Sequence, residues 1–339
     1  MRRTRQLLCI LLAGVVLAGC GLGGGGDESA QRVTIYTGRT QNLIEPILER
    51  FAKETGIDVD VRYGQSSDLA LLIDEEGGRT PADVFLSQTP SAVGYLDHKG
   101  RLGRLPDDVL SLVPPTARAD DGSWVGFSGR KRVLVYNPAK VPAATLPRSV
   151  LDMTGPQWKG RVGIAPPNAS FQDFVSAMRV KLGDDATSRW LKGMADNDAF
   201  TFANNTAIVA AVGRGEIDVG LVNHYYVLQA KAENPSFSAL NHDFPSDDLG
   251  NLLIVTAASI VKGSKHTEEA TALVRYLLQE DAQRYFSDQT YEYPLAAGVA
   301  PSSALPPMSF DQVEGVDFDR LGGDLESTRA LIRAAGLEG

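Results

Sequence analysis

The chain has 339 residues, a formal net charge of −9 and a pI near 5.1. A hydrophobic fraction of 43% suffices to bury a core, and at about 150 residues per domain the length predicts about two domains. The acidic balance, without a long basic run after the first residues, excludes a typical nucleic-acid-binding protein.

The N-terminus has the pattern of an export signal. The basic stretch MRRTR precedes a short apolar run that is too short and wrongly flanked for an ordinary transmembrane helix. The run ends in LAGC, which resembles a bacterial lipobox, so we predict cleavage before Cys20 and lipidation of Cys20. Cys9 would leave with the signal, and the mature chain would have no disulfide. The alternative is a plain signal that leaves a free thiol at Cys20.

Strands and helices alternate after the glycine-rich, flexible stretch GLGGGGDESAQ. VTIYT predicts a strand, the apolar spacing after Asn42 predicts a helix with Pro46 in its first turn, and IDVDVRY predicts a second strand. Together they form a βαβ unit with parallel strands. DLALLIDEEGG, ADVFLS and AVGYLDHKG continue the pattern as helix, strand and helix.

The rest of the chain repeats this theme. KRVLVYN, GRVGIAPP, IDVGLVN and NLLIVTAASIV are predicted strands, and SFQDFVSAMRVKLG, DATSRWLKGMAD and TAIVAAVGRG are predicted helices. TEEATALVRYLLQEDAQRYF predicts one strong helix. The whole predicts an α/β protein with two similar lobes.

Sequence motifs of catalysis are missing. The chain contains no HExxH, GxSxG or GxxxxGK[ST] motif, and no GxGxxG opens a helix. At most one cysteine remains in the mature chain, so no CxxC pair can bind zinc. We therefore expect a binding protein rather than an enzyme.

Two adjacent tyrosines, Tyr225 and Tyr226, follow the predicted strand IDVGLVN. Neighbours in a strand point to opposite faces, so both phenols could reach one ion only where the strand gives way to a turn or a helix. The following YYVLQAKAE looks helical, and ligands of open α/β sheets bind at the carboxyl ends of strands. Phenolate is a hard oxygen donor that a trivalent cation can deprotonate, which favours ferric iron. On spacing alone, packing is the alternative.

Longer stretches of the chain are distinctive in combination: IYTGR, FAKETGIDVDV, EEGGRTPADVFLS, GFSGRKRVLVYNP, WKGRVGIAPPNASF, GEIDVGLVNHYY and EYPL. In these the chain resembles the bacterial ferric-iron-binding periplasmic proteins, the substrate-binding components of iron ABC transporters. The resemblance implies a two-lobed periplasmic-binding-protein fold with hinge-linked lobes and the ligand in the cleft between them. It also implies a monomer whose partners are an ABC permease and its ATPase.

The resemblance also implies a domain map. Residues 1–20 would be the lipoprotein signal and residues 21–31 the tether. Residues 32–131 with 256–306 would form one lobe, and residues 132–255 with 307–339 the other. Closure of the lobes around a ligand is a known hinge mechanism.

The metal ligands implied by the resemblance are Tyr225 and Tyr226. Some members add a histidine and a glutamate, but this chain has Thr40 and Gln88 there, so we predict that pair to be absent. Others add a third tyrosine, which we match to Tyr136, and a carbonate or bicarbonate. Two phenolates leave Fe³⁺ with one positive charge and three neutralise it. The alternative for Tyr136 is packing in the hinge.

An accompanying anion needs cationic or N–H partners. Arg39 and Arg130 match loops that face the cleft in the family, and the arginine fork suits a carbonate-like anion. Family members that bind phosphate use positions that match Ser170, Asn205 and Asn223, and the helix start at Ser170 offers N–H groups. The alternatives are solvated charges for the arginines, an N-cap for Ser170 and a strand end for Asn223.

The predicted function is an exported lipoprotein, anchored at the extracytoplasmic face of the membrane, that captures ferric iron with an anion and delivers it to a permease. His224 is expected to be a bystander. The alternative keeps the fold and binds an organic solute such as thiamine, a phosphonate or a polyamine. It stays open because the histidine and glutamate positions are lost and a tyrosine-lined cleft can stack an organic cation.

Overall fold

The computed structural model describes residues 31–306, 313, 316, 321 and 325–337. The predictions for the export signal, for lipidation at Cys20 and for nearly all of the tether lie outside these residues. Within the described part, no helix is long and apolar enough to cross a membrane.

The described chain alternates strands and helices as the sequence predicts. The strands are β1 Arg32–Thr37, β2 Asp58–Tyr63, β3 Val84–Ser87, β4 Leu102–Gly103, β5 Val125–Tyr136, β6 Val162–Ile164, β7 Phe200–Thr201, β8 Val219–Asn223, β9 Leu240–His242, β10 Leu253–Val261 and β11 Tyr293–Pro294. The helices are α1 Gln41–Thr55, α2 Ser66–Glu76, α3 Pro90–His98, α4 Asp107–Leu110, α5 Ala169–Leu182, α6 Asp184–Asp196, α7 Asn205–Arg214, α8 Tyr225–Glu233, α9 Thr267–Leu277, α10 Glu280–Asp288 and a C-terminal helix Leu325–Ala334. Short 3-10 turns lie at Gly77–Arg79, Pro115–Ala117, Ala143–Thr145, Val150–Thr154, Pro156–Trp158 and Leu249–Asn251.

Helix α1 shows how local sequence sets these elements. Its apolar residues recur every three to four positions and all face the core: Leu43, Ile44, Ile47, Leu48 and Phe51. The helix ends at Gly56, whose φ of 73° is a left-handed conformation that glycine adopts without steric cost. The chain then forms β2, which pairs parallel with β1, and Arg32 lies opposite Asp58 at the start of this pairing.

Strand β5 connects two parts of the sheet. From Val125 to Lys131 it pairs antiparallel with β10, and from Arg132 to Tyr136 it pairs antiparallel with β8. We call the strands in the order β2, β1, β3, β10 the first sheet section, and those in the order β8, β6, β7 the second. All twelve residues of β5 are buried. The predicted α/β fold is confirmed, and the lobe boundaries stay a prediction.

One predicted helix is in fact two. The stretch from Thr267 to Phe286 breaks between α9 and α10, where Gln279 is extended with a ψ of 156°. The buried amide of Gln283 explains the break, because its Nε2 donates to the carbonyl oxygens of Leu277 and Phe127 at 2.7 Å each. Its Oε1 accepts from two backbone N–H groups after β11, those of Leu295 and Ala296. Apolar periodicity could not reveal this, since the partners are distant in sequence.

We predict that Gln283→Leu lowers the free energy of unfolding by about 2–5 kcal/mol, because it leaves buried backbone groups without partners. Denaturant titration followed by circular dichroism measures the loss. Gln289→Leu, on the exposed end of α10, is the matched control and should change the stability by less than about 0.5 kcal/mol. Equal stability of the two variants would contradict the role given to Gln283.

Candidate metal-binding site

The adjacent tyrosines lie where a strand turns into a helix, as the sequence predicts. β8 ends at Asn223, His224 already has helical backbone angles, and Tyr225 and Tyr226 open α8. Their ring centroids are 4.2 Å apart at an interplanar angle of 33°, and both rings are buried. The helical turn brings both phenols to the same side, which an extended strand could not do.

Burial sets the protonation of Tyr225. It raises the pKa of the Tyr225 phenol well above 10, and the neighbouring Tyr226 raises it further. The positive charges of Arg130 and Arg39 act in the opposite direction. Without a bound cation Tyr225 therefore keeps its proton at neutral pH, and a cation that binds to its oxygen must displace that proton.

Tyr136 does not join this pair. In the antiparallel register of β5 and β8, Arg132 lies opposite Asn223 and Tyr136 lies opposite Val219. Four residues of strand separate these positions by about 13 Å. Tyr136 is also paired with Leu240 of β9 and packs in the main hydrophobic core. The structure thus contradicts the match of Tyr136 to a third metal ligand and supports the packing alternative.

A buried ion pair lies beside the tyrosines. Arg39 donates from Nη1 and Nη2 to the two carboxylate oxygens of Glu292 at 2.7 and 2.8 Å, and both side chains are at most 1% exposed. Arg130 comes within 3.9 Å of the same carboxylate. Burial alone would raise the pKa of Glu292, but the charges of Arg39 and Arg130 and the hydrogen bonds from Arg39 hold it below its usual value. Glu292 is therefore ionised and fixes both arginines near the phenols.

Most hydrogen-bond donors of the two arginines predicted to bind the anion are thus already used within the protein. The fork of Arg39 holds Glu292, and Arg130 donates to the Thr256 hydroxyl and to the Gln88 carbonyl. Both are buried, which contradicts the alternative of solvated surface charges.

A third arginine, not among the residues predicted from the sequence, has fewer of its hydrogen-bond donors used within the protein. Arg132 is also buried, and it donates from Nη1 to Asn223 at 3.1 Å. Burial lowers its pKa to about 9, and the nearby charge of Arg130 adds to this. Among the described residues, three buried guanidinium nitrogens have no hydrogen-bond partner: Nε of Arg39, Nε of Arg130 and Nη2 of Arg132. Such donors call for an acceptor.

The predicted polar loop residues form one hydrogen-bonded chain. Asn223 donates to the Ser170 hydroxyl at 3.0 Å, the Ser170 N–H donates to Asn168, and Asn205 donates to the same Asn168 oxygen. Asn168, not Ser170, is the N-cap of α5, so the N-cap alternative for Ser170 is wrong. The backbone carbonyl of Asn168 accepts from the N–H groups of Phe171 and Gln172. The prediction of free N–H groups fails for these residues.

The remaining positions of interest are structural. Thr40 is exposed at the start of α1. Gln88 is buried and donates to the carbonyl of Gly38, beside Arg39. His224 accepts from the Lys131 N–H through Nδ1 and stacks on Tyr293 at 4.9 Å between ring centroids. Burial and the charge of Lys131 lower the pKa of His224 to about 4, so its ring is neutral.

The side chains at the site limit the kinds of ion that it could bind. In the part of the chain that the structure describes, no three His, Cys, Asp or Glu side chains are grouped so that they could hold a metal ion. The site instead offers two phenols, surrounded by three buried arginines and one buried glutamate. The three arginines carry two more charges than the single glutamate. This surplus suits two phenolates and an anion.

Arg132 and Glu292 were not predicted, and they differ in how far the sequence could have shown them. Arg130 and Arg132 are two positions apart in a strand, so alternation alone places them on one face. Glu292 lies 253 positions from Arg39, and nothing local in TYEYPL indicates that pairing. The backbone at Tyr291, immediately before it, is left-handed with a φ of 58°.

The chain is similar to known proteins in both sequence and fold. A family model described as bacterial extracellular solute-binding protein matches residues 79–321. The chain is 32% identical to the Fe(3+)-binding periplasmic protein of Serratia marcescens, over 97% of each chain. It is also 32% identical to the major ferric iron-binding protein of Neisseria meningitidis serogroup A, over 89% of this chain and 92% of that one. The crystal structure of iron-bound HitA from Pseudomonas aeruginosa matches with a TM-score of 0.85 and 33% identity, over 91% of this chain and 100% of that one.

We predict that Glu292→Gln lowers the free energy of unfolding by about 3 kcal/mol, because two arginines lose their buried counter-charge. Glu280→Gln, which breaks the exposed pair of Glu280 with Arg284, is the control and should cost less than about 1 kcal/mol.

The pH dependence of this loss tests its electrostatic origin. Because the pKa of Glu292 is lowered in the folded protein, its stabilisation is fully present above about pH 4.5. It disappears as the pH falls through the lowered value. Denaturant titrations at pH 7 and pH 3.5 should therefore show a smaller difference between wild type and Glu292→Gln at the lower pH. An equal difference at both would refute the charge argument.

Proposed function

The chain belongs to the family of bacterial ferric-iron-binding periplasmic proteins, a group of extracellular solute-binding proteins, and from this we propose that it captures ferric iron with Tyr225 and Tyr226. The observation that carries the proposal is the stacked pair of buried phenols in the first turn of α8. Phenolate oxygen is a hard ligand, and a trivalent cation can displace its proton at neutral pH.

The same proposal includes an anion beside the iron. Two phenolates leave one positive charge on Fe³⁺, and the arginines add further positive charge. A carbonate, bicarbonate or phosphate would supply negative charge and accept from the buried nitrogens that lack partners. Arg132 is the best candidate, because its terminal Nη2 is unpaired while the fork of Arg39 is engaged with Glu292. The Ser170 hydroxyl, held by Asn223, is the neutral candidate.

The family also supports a proposal for the delivery of the iron. We propose that the protein works outside the cytoplasm, is anchored by lipid at Cys20, and passes iron to an ABC permease and its ATPase without catalysis. The predicted lobes, residues 32–131 with 256–306 and residues 132–255 with 307–339, would close over the site. Relatives of 32% identity are named for ferric iron, which favours iron over an organic solute.

Addition of Fe³⁺ with bicarbonate to the protein should give a phenolate-to-iron charge-transfer absorption band. Tyr225→Phe and Tyr226→Phe should each weaken the band and the affinity, and the double variant should abolish both. Tyr136→Phe is the matched control and should leave the band unchanged. It also removes the hydroxyl of a buried tyrosine, but one that lies opposite Val219 at the start of β8, away from Tyr225 and Tyr226. Because protons compete for the phenolates, iron retention should weaken as the pH falls.

Two results would reject this assignment: no band in the wild type, or a full band in the double variant. Loss of the band in Tyr136→Phe with an intact fold would reject the ligand set. A thermal-shift panel of thiamine, a phosphonate and a polyamine tests the organic-solute alternative, because a ligand raises the melting temperature only of a protein that binds it.

Arg132 should determine the anion dependence. We predict that Arg132→Gln makes iron binding less dependent on bicarbonate or phosphate and lowers the affinity in their presence about tenfold or more, as loss of a buried charge-assisted hydrogen bond does. Iron titrations with and without each anion measure this. Arg189→Gln, on α6, is the control. Unchanged anion dependence in Arg132→Gln would assign the anion to other residues.

A further inference from the structure

Asp173 is a buried carboxylate that the iron site does not use. It lies on α5 and is 1% exposed. It accepts a hydrogen bond from the Ser91 hydroxyl, and the Ser91 N–H and the Thr89 hydroxyl also stabilise its charged form. Its contacts therefore converge on one place, the start of α3.

The start of α3 lacks a cap of its own. Its N-cap residue Thr89 makes no side-chain capping bond, and its first turn has no acidic residue. Pro90 has no N–H to satisfy, but the N–H groups that follow need acceptors. A carboxyl oxygen at a helix N-terminus can accept such bonds. Asp173 reaches this helix start from a different helix and accepts a hydrogen bond there from Ser91, the residue after Pro90.

The two helices belong to different parts of the sheet. α3 follows β3 of the first sheet section, and α5 follows β6 of the second. The carboxylate of Asp173 and the start of α3 are therefore held by different sheet sections, and they touch only where these approach each other. An ion pair makes a second contact of this kind. Nη1 of Arg329, on the C-terminal helix, lies 2.9 Å from Oδ1 of Asp68 on α2.

We propose that Asp173 is a positioning residue that caps α3 across the cleft and thereby holds the protein closed over its bound iron. The inference rests on the proposed function for the identity of the cargo. The capping contact itself rests on the hydrogen bonds of Asp173. Opening of the cleft would uncap α3 and return Asp173 to water, so each release of iron must break this contact.

The charge state of Asp173 gives the contact a pH dependence. Burial raises the pKa of Asp173 to about 7, against the bonds from Ser91 and Thr89 and the charge of Arg130, which lower it. Arg132 also interacts with it. A carboxyl with a raised pKa in the closed form takes up a proton on closing. Closure through Asp173 is therefore favoured as the pH falls from about 7 towards the ordinary value of about 4.

Iron release into excess chelator, followed by loss of the charge-transfer band, tests the proposal. Asp173→Ala and Ser91→Ala should each release iron about tenfold faster at pH 7. The double variant should be no faster than Asp173→Ala alone, because both changes remove the same contact. Asp185→Asn, an exposed acidic residue on α6, is the control and should match wild type.

The pH profile separates positioning from a general structural role. Asp173→Asn keeps the size of the side chain but cannot titrate. Relative to wild type its release rate should rise about tenfold between pH 8 and pH 6, because only the wild type gains from protonation. A constant ratio of the two rates across this range would overturn the proposal, as would wild-type release rates in Asp173→Ala and Ser91→Ala.

A cysteine pair tests the contact without relying on colour. In Ser91→Cys/Asp173→Cys, oxidation should form a disulfide between the two positions, detected by mass spectrometry of the peptides, and iron loaded beforehand should stay bound until a reductant is added. The single cysteine variants are the controls. If the wild type binds no iron, the proposed function fails, and the cross-link alone decides the contact: its formation supports the cross-cleft cap and its absence refutes it.

Discussion

The register of strand β5 is the constraint on which the site depends. One strand of twelve buried residues pairs with β10 and then with β8. Because it crosses between the sheet sections at Lys131 and Arg132, it carries Arg130 and Arg132 to the point where β8 ends. The turn after β8 then presents Tyr225 and Tyr226 to these cations. The same register places Tyr136 opposite Val219, at the other end of β8 from the tyrosine pair.

Charge balance is the second constraint. Three arginines beside buried phenols would be costly to bury unless something compensated them. Glu292 lies close to two of them and neutralises one positive charge, and its two hydrogen bonds from Arg39 also fix the loop before α1. The two remaining positive charges lie beside Tyr225 and Tyr226. Under the proposed function, the phenolates that hold a ferric ion and an accompanying anion would balance them.

The capping of α3 by Asp173 links this charge arrangement to the geometry of the whole molecule. Asp173 interacts with the same two arginines of β5, so its protonation responds to the cations that lie beside the tyrosines. A helix start that is capped from the opposite side of the cleft is stable only when the two sides are together. Local helix chemistry thereby becomes a contribution to closure.

The sequence by itself determined the alternation of strands and helices, the two-lobed α/β class and the position of the tandem tyrosines at a strand end. These depend on local periodicity, on turn residues and on stretches shared with a family, all of which can be read along the chain. Only the tertiary structure decided that Tyr136 is remote, that Arg132 faces the site, that Asn168 rather than Ser170 caps α5, and that Glu292 pairs with Arg39. Each of these depends on strand register or on contacts between residues far apart in sequence, such as the 253 positions from Arg39 to Glu292. The helix break before α10 has the same origin, because the hydrogen bonds of Gln283 reach across to β5 and beyond β11, where periodicity carries no information.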